Sequence, residues 1–350
     1  MTLTRIRIVG SGLIGTSIGL AAVAQGITVD MVDVDPRAQS LARDLVKSKT
    51  GEEIDLVLFA IPLGALGTVL NSEFALNTKA AFIDVASVKT KVKVEVLASN
   101  IPSARFLPSH PMAGREVGGA ESARADLFQG RPWVIDSQGV DLDVVEVGKE
   151  LIDLLGAHVI DLPVGEHDQA VALVSHLPQL MASMLAKQLL GAHELWLDLA
   201  GAGLRDTTRI AASDPQLWQE IIASNHLALH PLLQNLRADL DHVIASLEDQ
   251  EQIAKLIDQG RAGRALIPGK HGGKARDYRH LPIVIEDKPG QLAALFDECA
   301  NAKVNVEDLS IEHSPEQFTG LITLALSVKD AEILSEHLLK NGWNVHPARN

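Results

Sequence analysis

The chain has 350 residues, a length that predicts two or three domains and excludes a single small module. Hydrophobic residues make up 46% and charged residues 22%, as in soluble globular proteins, so disordered and collagen-like chains are excluded. The formal net charge of −14 repels phosphate backbones, and we expect no nucleic-acid partner.

The single cysteine and the first apolar run bear on where the protein works. Cys299 can form no internal disulfide, which suits a reducing cytoplasm. The uncharged run 8–29 imitates a signal peptide or a membrane span. Closely spaced glycines interrupt this run, so we expect a cytoplasmic protein with no membrane segment.

The first part of the chain, residues 1–162, predicts a dinucleotide-binding α/β domain. A strand–helix–strand unit opens it, and further apolar runs alternate with helical stretches, which is typical of a Rossmann-type doubly wound parallel sheet. The predicted helix of the opening unit is 13–25, and the predicted strands are 5–9, 28–32, 55–61, 80–85, 105–108 and 132–135.

Residues 163–260 predict an all-helical domain. Strand signals disappear here, and the stretches 171–190 and 215–247 carry apolar residues at helical spacing. Several of these helices are apolar on more than one face, which a monomer would leave exposed. We therefore predict a homodimer formed through this region.

Residues 261–280 are basic and rich in glycine, and they predict a linker. The tail, 281–350, predicts a ferredoxin-like βαββαβ domain. Its predicted strands are 281–286, 304–313, 321–328 and 343–346, and its predicted helices are 291–301 and 331–340.

A glycine-rich motif follows the first strand and opens the first helix. It reads GxGxxG over 10–15, and an aspartate closes the next strand. This context predicts a dinucleotide site, with the pyrophosphate at the helix N-terminus. Asp33 would accept a hydrogen bond from a ribose 2′-hydroxyl and favours NAD over NADP, although Arg37 lies close enough in sequence to reach a 2′-phosphate. The predicted cofactor-binding residues are Gly10, Gly12, Leu13, Ile14, Gly15 and Asp33.

Three further stretches carry candidate chemistry. Ser87 and His110 each follow a predicted strand, at the sheet edge where doubly wound folds bind ligands. A hydrogen bond between them would fix the histidine ring as a base, although a single histidine is as often structural. Arg205 and Arg209 lie four apart and could bind a carboxylate or form a surface pair.

Together these motifs resemble the prephenate/arogenate dehydrogenase family of tyrosine biosynthesis. The resemblance rests on the glycine motif, DVASVK (84–89), SHPMAGxE (109–116), SHLP (175–178) and DxTRIA (206–211). It implies that His110 is the catalytic base, that Ser87 orients it and that Arg209 holds the ring carboxylate. It also implies further substrate-binding residues, namely Glu116, His176, Asp206 and Trp218.

The resemblance implies an NAD-dependent oxidation of prephenate to 4-hydroxyphenylpyruvate, with arogenate dehydrogenase as the alternative. A β-hydroxyacid dehydrogenase would need a catalytic lysine, for which Lys187 is the main candidate. A non-catalytic sensor is a third hypothesis. No metal is predicted, because His226 and His230 have helical spacing without an intervening glutamate.

The tail resembles an ACT domain, a module that commonly senses amino acids. The resemblance lies in the turn DKPGQL (287–292), between the predicted strand and helix. It implies that L-tyrosine binds there as an allosteric regulator, through Asp287, Pro289, Gly290 and Leu292. A dimerisation module without a ligand is the alternative.

Overall fold

The structure is a computed structural model that describes residues 3–51, 53–115, 117–267, 278–312 and 319–348. It comprises two compact units, Met1–Asp241 and His242–Asn350. Each unit is described by itself below.

Five parallel strands form the main sheet of the first unit, in the order β2-β1-β3-β4-β5. The strands are β1 (Arg5–Val9), β2 (Thr28–Val32), β3 (Leu56–Phe59), β4 (Ala81–Asp84) and β5 (Phe106–Leu107). The order reverses between β1 and β3, and this switch point is where doubly wound sheets bind ligands. The predicted doubly wound architecture is confirmed.

Helices cover both faces of this sheet, which explains why β3 and β5 are wholly apolar and β4 is apolar except for Asp84. They are α1 (Leu13–Ala24), α2 (Pro36–Val46), α3 (Leu63–Leu76), α4 (Lys89–Ala98) and α5 (Leu142–Leu154). One core joins α1, α2 and α5 to the sheet, through residues such as Ile18 and Val147. The other joins α3 and α4 to the opposite face, through residues such as Leu66 and Val92.

Three short strands form a second, mixed sheet. They are β6 (Ser109–Pro111), β7 (Pro132–Ile135) and β8 (His158–Asp161), with β6 antiparallel and β8 parallel to β7. The expectation that 132–135 belongs to the parallel sheet is therefore wrong. Pro108, which has no N–H for a ladder, separates β5 from β6.

The block after β8 is helical, as predicted. Its α-helices are α6 (Val164–Val171), α7 (Leu177–Lys187), α8 (Glu194–Leu197), α9 (Ala202–Thr208), α10 (Pro215–Ser224), α11 (His226–Ala245) and α12 (Gln250–Ala265). A π-helix, Ala172–His176, joins α6 to α7, and a 3₁₀ turn, Arg209–Ala212, follows α9.

The predicted linker begins too early in the sequence. Residues 261–265 belong to α12, where Arg261 pairs with Asp258 at 2.7 Å. Side-chain pairs of this spacing stabilise helices and offset the cost of Gly260 and Gly263. Residues 278–280 begin the next strand, and 268–277 lie outside the described residues.

The helical block leaves much apolar surface exposed. In α7 only Gln179 and Ala182 are buried, and α9 and α12 bury no residue within the chain. Met184 and Leu199 are 48% and 83% exposed. Exposed apolar side chains in such number on helices are typical of an interface, in agreement with the predicted dimer.

The tail has the predicted βαββαβ order. Its elements are β9 (Tyr278–Glu286), α13 (Gln291–Asn301), β10 (Asp308–Glu312), β11 (Thr319–Ser327), α14 (Val328–Lys340) and β12 (Asn344–Val345). The strands form an antiparallel sheet in the order β10-β11-β9-β12, the ferredoxin-like arrangement. Both helices pack on it through a core that includes Leu295 and Leu334.

In the part of the chain that the structure describes, no helix has the length and apolar character needed to cross a bilayer.

Candidate active site

The glycine-rich loop lies at the switch point of the parallel sheet. Gly10 follows β1 with a φ of +110° and donates its N–H to the carbonyl oxygen of Val32 at 2.8 Å. A Cβ at Gly15 would lie 2.0 Å from the carbonyl oxygen of Gly10, so α1 can pack against the loop only without a side chain there. These contacts hold the N-terminus of α1 beside the end of β1.

The loop fits a dinucleotide pyrophosphate. Gly12 is the N-cap of α1 and offers no side chain to the free N–H groups of the first turn. A Cβ at Gly12 would meet no atom within 4 Å, so space is open in front of the helix. The buried Oγ of Ser11 has no hydrogen-bond partner among the described residues. Free donors at a helix N-terminus suit an anion.

Asp33 closes β2 beside this loop. Its carboxylate accepts hydrogen bonds from the N–H of Ser11 at 2.6 Å and from the N–H of Asp35 at 2.9 Å. Each carboxylate oxygen has two lone pairs, so both retain capacity to accept a further donor. The side chain is therefore fixed in place and can still bind a ribose hydroxyl.

His110 lies on β6 and forms the end of a chain of three polar side chains. Its Nδ1 is 2.9 Å from Nε2 of His167, and Nδ1 of His167 is 2.8 Å from Oδ1 of Asp168. His167 and Asp168 lie on α6 and are buried, whereas His110 is half-buried. The ring of His110 therefore reaches the surface of the site, whereas the ring of His167 does not.

The same environment shifts the pKa values of these groups. Burial, assisted by the charges of His167, Lys89 and His176, lowers the pKa of His110 well below its usual range. Burial alone would raise the pKa of Asp168, but hydrogen bonds from His167 and the start of α4 lower it to about 2. At neutral pH a deprotonated His110 thus faces the site, and a carboxylate lies behind it.

A buried ion pair supports the strand that carries His110. Lys89 Nζ contacts the carboxylate of Asp84 and donates to the carbonyl oxygen of Ser109 at 2.5 Å. The Oγ of Ser109 donates to the carbonyl oxygen of Asp84 at 2.5 Å and accepts from Trp133 Nε1 at 3.0 Å. These contacts join β4, β6 and β7 immediately beneath His110.

A second histidine, His176, lies at the end of the π-helix and is buried. Asn225 occupies the break between α10 and α11, and its Nδ2 donates to Nδ1 of His176 at 3.1 Å and to the carbonyl oxygen of Asp168 at 2.8 Å. Trp218 lies edge-on to the ring of His176, with the ring centroids 6.1 Å apart. Burial and the charge of His167 lower the pKa of His176 to about 4.

The remaining predicted catalytic and substrate-binding residues are half-buried or exposed where the structure describes them. Ser87 lies in the half-buried turn between β4 and α4 and shares no hydrogen bond with His110, so His167 makes the orienting contact expected of Ser87. Arg209 begins the 3₁₀ turn after α9, which packs against α7. Arg209 and Asp206 are both exposed, and Glu116 lies outside the described residues.

The sequence interpretation gave no catalytic or binding role to four residues of this site, although His167 and Asp168 fit a helix cap or the lining of the crevice. Lys89, His167, Asp168 and Asn225 are all buried polar side chains. The adjacent histidine and aspartate at the start of α6 were the available signal, because such a pair is costly to bury without partners. Among the described residues, no group of three or more histidine, cysteine or acidic side chains could hold a metal ion.

Comparisons with known proteins agree with a dinucleotide-binding domain followed by a helical domain. Residues 18–161 match the nucleotide-binding domain of prephenate dehydrogenase, and residues 163–259 match its dimerization domain. The chain is 30% identical over 354 residues to a Streptomyces niveus protein named Probable prephenate dehydrogenase NovF, covering 96% of this chain and 98% of that protein.

Two solved structures have the same fold over three quarters of the chain. Arogenate dehydrogenase from Synechocystis is 26% identical with a TM-score of 0.63, covering 75% of this chain and 99% of that one. Prephenate dehydrogenase from Aquifex aeolicus, solved with hydroxyphenyl propionate and NAD⁺, is 24% identical with a TM-score of 0.67, covering 75% and 98%.

Proposed function

The chain belongs to the prephenate dehydrogenase family, and we propose that it converts prephenate to 4-hydroxyphenylpyruvate and CO₂ with NAD⁺, using His110 as the base. The observation that carries the choice of base is the chain from His110 through His167 to Asp168, which leaves one half-buried ring nitrogen for the substrate. A base must reach the proton that it removes and be unprotonated at the working pH. The lowered pKa of His110 supports the second condition.

The cofactor is NAD⁺, which supplies the hydride acceptor when it is bound. The loop 10–15 and the first turn of α1 hold its pyrophosphate, and Asp33 accepts a hydrogen bond from its ribose. A carboxylate at this position repels a 2′-phosphate, which favours NAD over NADP. Leu13 and Ile14 are the first two residues of α1, whose N-terminus would face the pyrophosphate.

His110 moves a single proton during the reaction. Its Nε2 removes the hydroxyl proton while hydride leaves the ring carbon that bears the hydroxyl. The bond from the ring to its carboxylate then breaks, CO₂ departs, and the electron pair of that bond completes an aromatic ring. His110 returns its proton to the phenolate oxygen, so no proton is gained or lost. Formation of the aromatic ring makes the conversion irreversible.

The other site residues bind and orient the substrate. Arg209 holds the ring carboxylate until it departs, because a guanidinium binds carboxylate through two parallel hydrogen bonds. With Asn225 donating to its Nδ1, a neutral His176 carries its proton on Nε2 and can donate to the side chain of the substrate. Ser87, Asp206 and Trp218 complete the pocket among the described residues, and Glu116, which lies outside them, keeps the substrate-binding role that the family resemblance implies.

Arogenate is the second candidate substrate. It differs from prephenate at one carbon of the side chain, and the likeness to a Synechocystis arogenate dehydrogenase favours testing it. Formation of reduced nicotinamide is measured with prephenate and with arogenate, each with NAD⁺ and with NADP⁺. Turnover of prephenate with NAD⁺ is expected. Turnover of arogenate alone would make L-tyrosine the product, and no turnover with either would contradict the proposed function.

The tail is a regulatory domain that binds L-tyrosine, and the family's dimerization domain makes the protein a homodimer. The ferredoxin-like fold supports this role, as does the exposed turn at Asp287–Leu292, in which Gly290 has a φ of +90°. Tyrosine at millimolar concentration is expected to lower activity and to raise the melting temperature. Absence of both effects would leave the tail as an assembly module without a ligand.

A further inference from the structure

We propose that His167 and Asp168 are positioning residues, which hold His110 in the tautomer whose Nε2 is unprotonated and available to the substrate. The proposal rests on the function proposed above, because it gives these residues their role relative to the His110 base. It gives a role to two buried side chains that the reaction described above leaves without one.

The argument begins at Asp168, whose two oxygens are surrounded by donors. Oδ1 accepts from the N–H of Lys89 at 2.8 Å, and Oδ2 accepts from the N–H of Thr90 at 2.8 Å. These hydrogen bonds keep the carboxylate ionised, and an ionised carboxylate can only accept. The 2.8 Å contact between Oδ1 and Nδ1 of His167 is therefore a hydrogen bond that the histidine donates.

This donation settles the tautomer of each ring in turn. When His167 is neutral it has one N–H, so the proton that it donates from Nδ1 leaves its Nε2 as an acceptor. That Nε2 lies 2.9 Å from Nδ1 of His110, which must then be the donor. The lone pair of His110 is thereby left on Nε2, which has no hydrogen-bond partner among the described residues. The carboxylate thus sets the tautomer of a ring that it does not touch.

The charges around His110 come from three elements. His167 and Asp168 face it from α6, Lys89 from the start of α4, and His176 from the π-helix. The ammonium of Lys89 is itself paired with Asp84. Asp168 is the one of these groups that raises the pKa of His110, while burial and the others lower it. The carboxylate therefore also keeps His110 basic enough to take a proton.

A purely structural role must be separated from this one. Asp168 binds the first two N–H groups of α4, so its replacement would weaken a helix cap as well. The side chain of His167 has no such second role, because among the described residues its ring forms hydrogen bonds with Asp168 and His110 alone. Variants of His167 therefore test the positioning role with the cap of α4 intact.

The first experiment compares His167→Gln with His167→Met in the full-length protein. The amide oxygen of glutamine can take the place of Nε2 and accept from His110, whereas methionine fills similar space without an equivalent acceptor. We expect His167→Gln to keep kcat within about tenfold of the wild type and His167→Met to lose about 10²- to 10⁴-fold. His158→Gln, on an exposed position of β8, is the matched control and should match the wild type.

A spectroscopic readout tests the tautomer without substrate. Protein labelled with ¹⁵N-histidine is compared with the His110→Asn variant to identify the His110 signals. The proposal requires a protonated Nδ1 and an unprotonated Nε2 at His110 in the wild type and in His167→Gln, and a loss of that preference in His167→Met. Equal kcat values for the two His167 variants, or an unchanged tautomer in His167→Met, would overturn the proposal.

Asp168→Asn supplies a second, independent measurement. Loss of the negative charge lowers the pKa of His110, so the acidic limb of the pH profile of kcat/KM should move to lower pH as kcat falls. A role confined to capping α4 would lower the melting temperature and leave that limb in place. If the wild type turns over neither prephenate nor arogenate, the proposed function fails, while the NMR comparison still decides whether His167 sets the tautomer.

Discussion

Gly10 lies directly against Ala60, where the neighbouring parallel strands β1 and β3 end side by side. A Cβ at Gly10 would stand 2.2 Å from the carbonyl oxygen of Ala60, and Gly10 also has a φ of +110°. Backbone atoms cannot move aside as a flexible side chain can. Gly12, two residues later, faces open space instead. The two glycines therefore serve different purposes, one for folding and one for access of the cofactor.

Gly10→Ala and Gly12→Ala should consequently fail in different ways. We expect Gly10→Ala to lower the melting temperature markedly or to prevent folding, because both the space and the backbone conformation exclude a side chain. Gly12→Ala should fold normally but bind NAD⁺ at least about tenfold more weakly, since its methyl group would occupy the approach to the helix N-terminus. Thermal unfolding and NAD⁺ titration distinguish the two; equal NAD⁺ affinity in Gly12→Ala would contradict the placement of the pyrophosphate.

His110→Asn should lower kcat by about 10²- to 10⁴-fold, the usual cost of removing a general base. The asparagine amide can take the place of Nδ1 and still donate to His167, so the buried chain and the melting temperature should be preserved. Reduced nicotinamide formation with saturating prephenate is the measurement. Turnover near that of the wild type would remove His110 from the mechanism.

Arg209→Ala should raise the KM for prephenate about ten- to a hundredfold, as expected for loss of charged hydrogen bonds to a carboxylate. Arg205→Ala is the matched control, because Arg205 is also exposed and lies one turn earlier on α9. Its KM should remain close to that of the wild type. If the two variants show the same KM, the ring carboxylate is bound elsewhere.

Stability should fall in acid because of His176. Its pKa is about 4 in the folded protein against an ordinary value near 6.5, so below pH 6.5 the unfolded chain binds the extra proton. The stabilisation is present above that pH and is lost as pH falls toward 4, by about 3 kcal/mol at most. His176→Gln should flatten the dependence of the unfolding free energy on pH within this window. A slope identical to that of the wild type would rule out a buried neutral histidine here.

Met184→Glu should dissociate the dimer. Met184 is 48% exposed within the chain on α7, and a carboxylate buried there against a second copy would be costly. Leu142→Glu is the control, because Leu142 is 80% exposed on α5 of the dinucleotide-binding region. Light scattering should give the mass of one chain for the first variant and of two for the control. A dimer that survives Met184→Glu would place the interface away from α7.

Local patterns in the sequence determined the elements and the cofactor loop. Three predicted elements begin and end at the same residues in the structure: the strands at 5–9 and 28–32 and the tail helix at 291–301. Alternation and turn chemistry act between residues close in the chain, so they can be interpreted without tertiary contacts. The same holds for the loop 10–15, whose spacing alone specifies a tight turn and an open helix N-terminus.

Tertiary structure alone decided what surrounds His110. The sequence predicted Ser87 as its orienting partner, whereas the fold brings α6 against β6 and pairs the ring with His167. The separation of β6, β7 and β8 into their own sheet was also decided at this level. The reason is physical: a buried carboxylate or imidazole is tolerated only with partners, and two of the three residues that donate to the Asp168 carboxylate lie 78 and 79 positions away. No local pattern encodes contacts over such separations, and packing selects them.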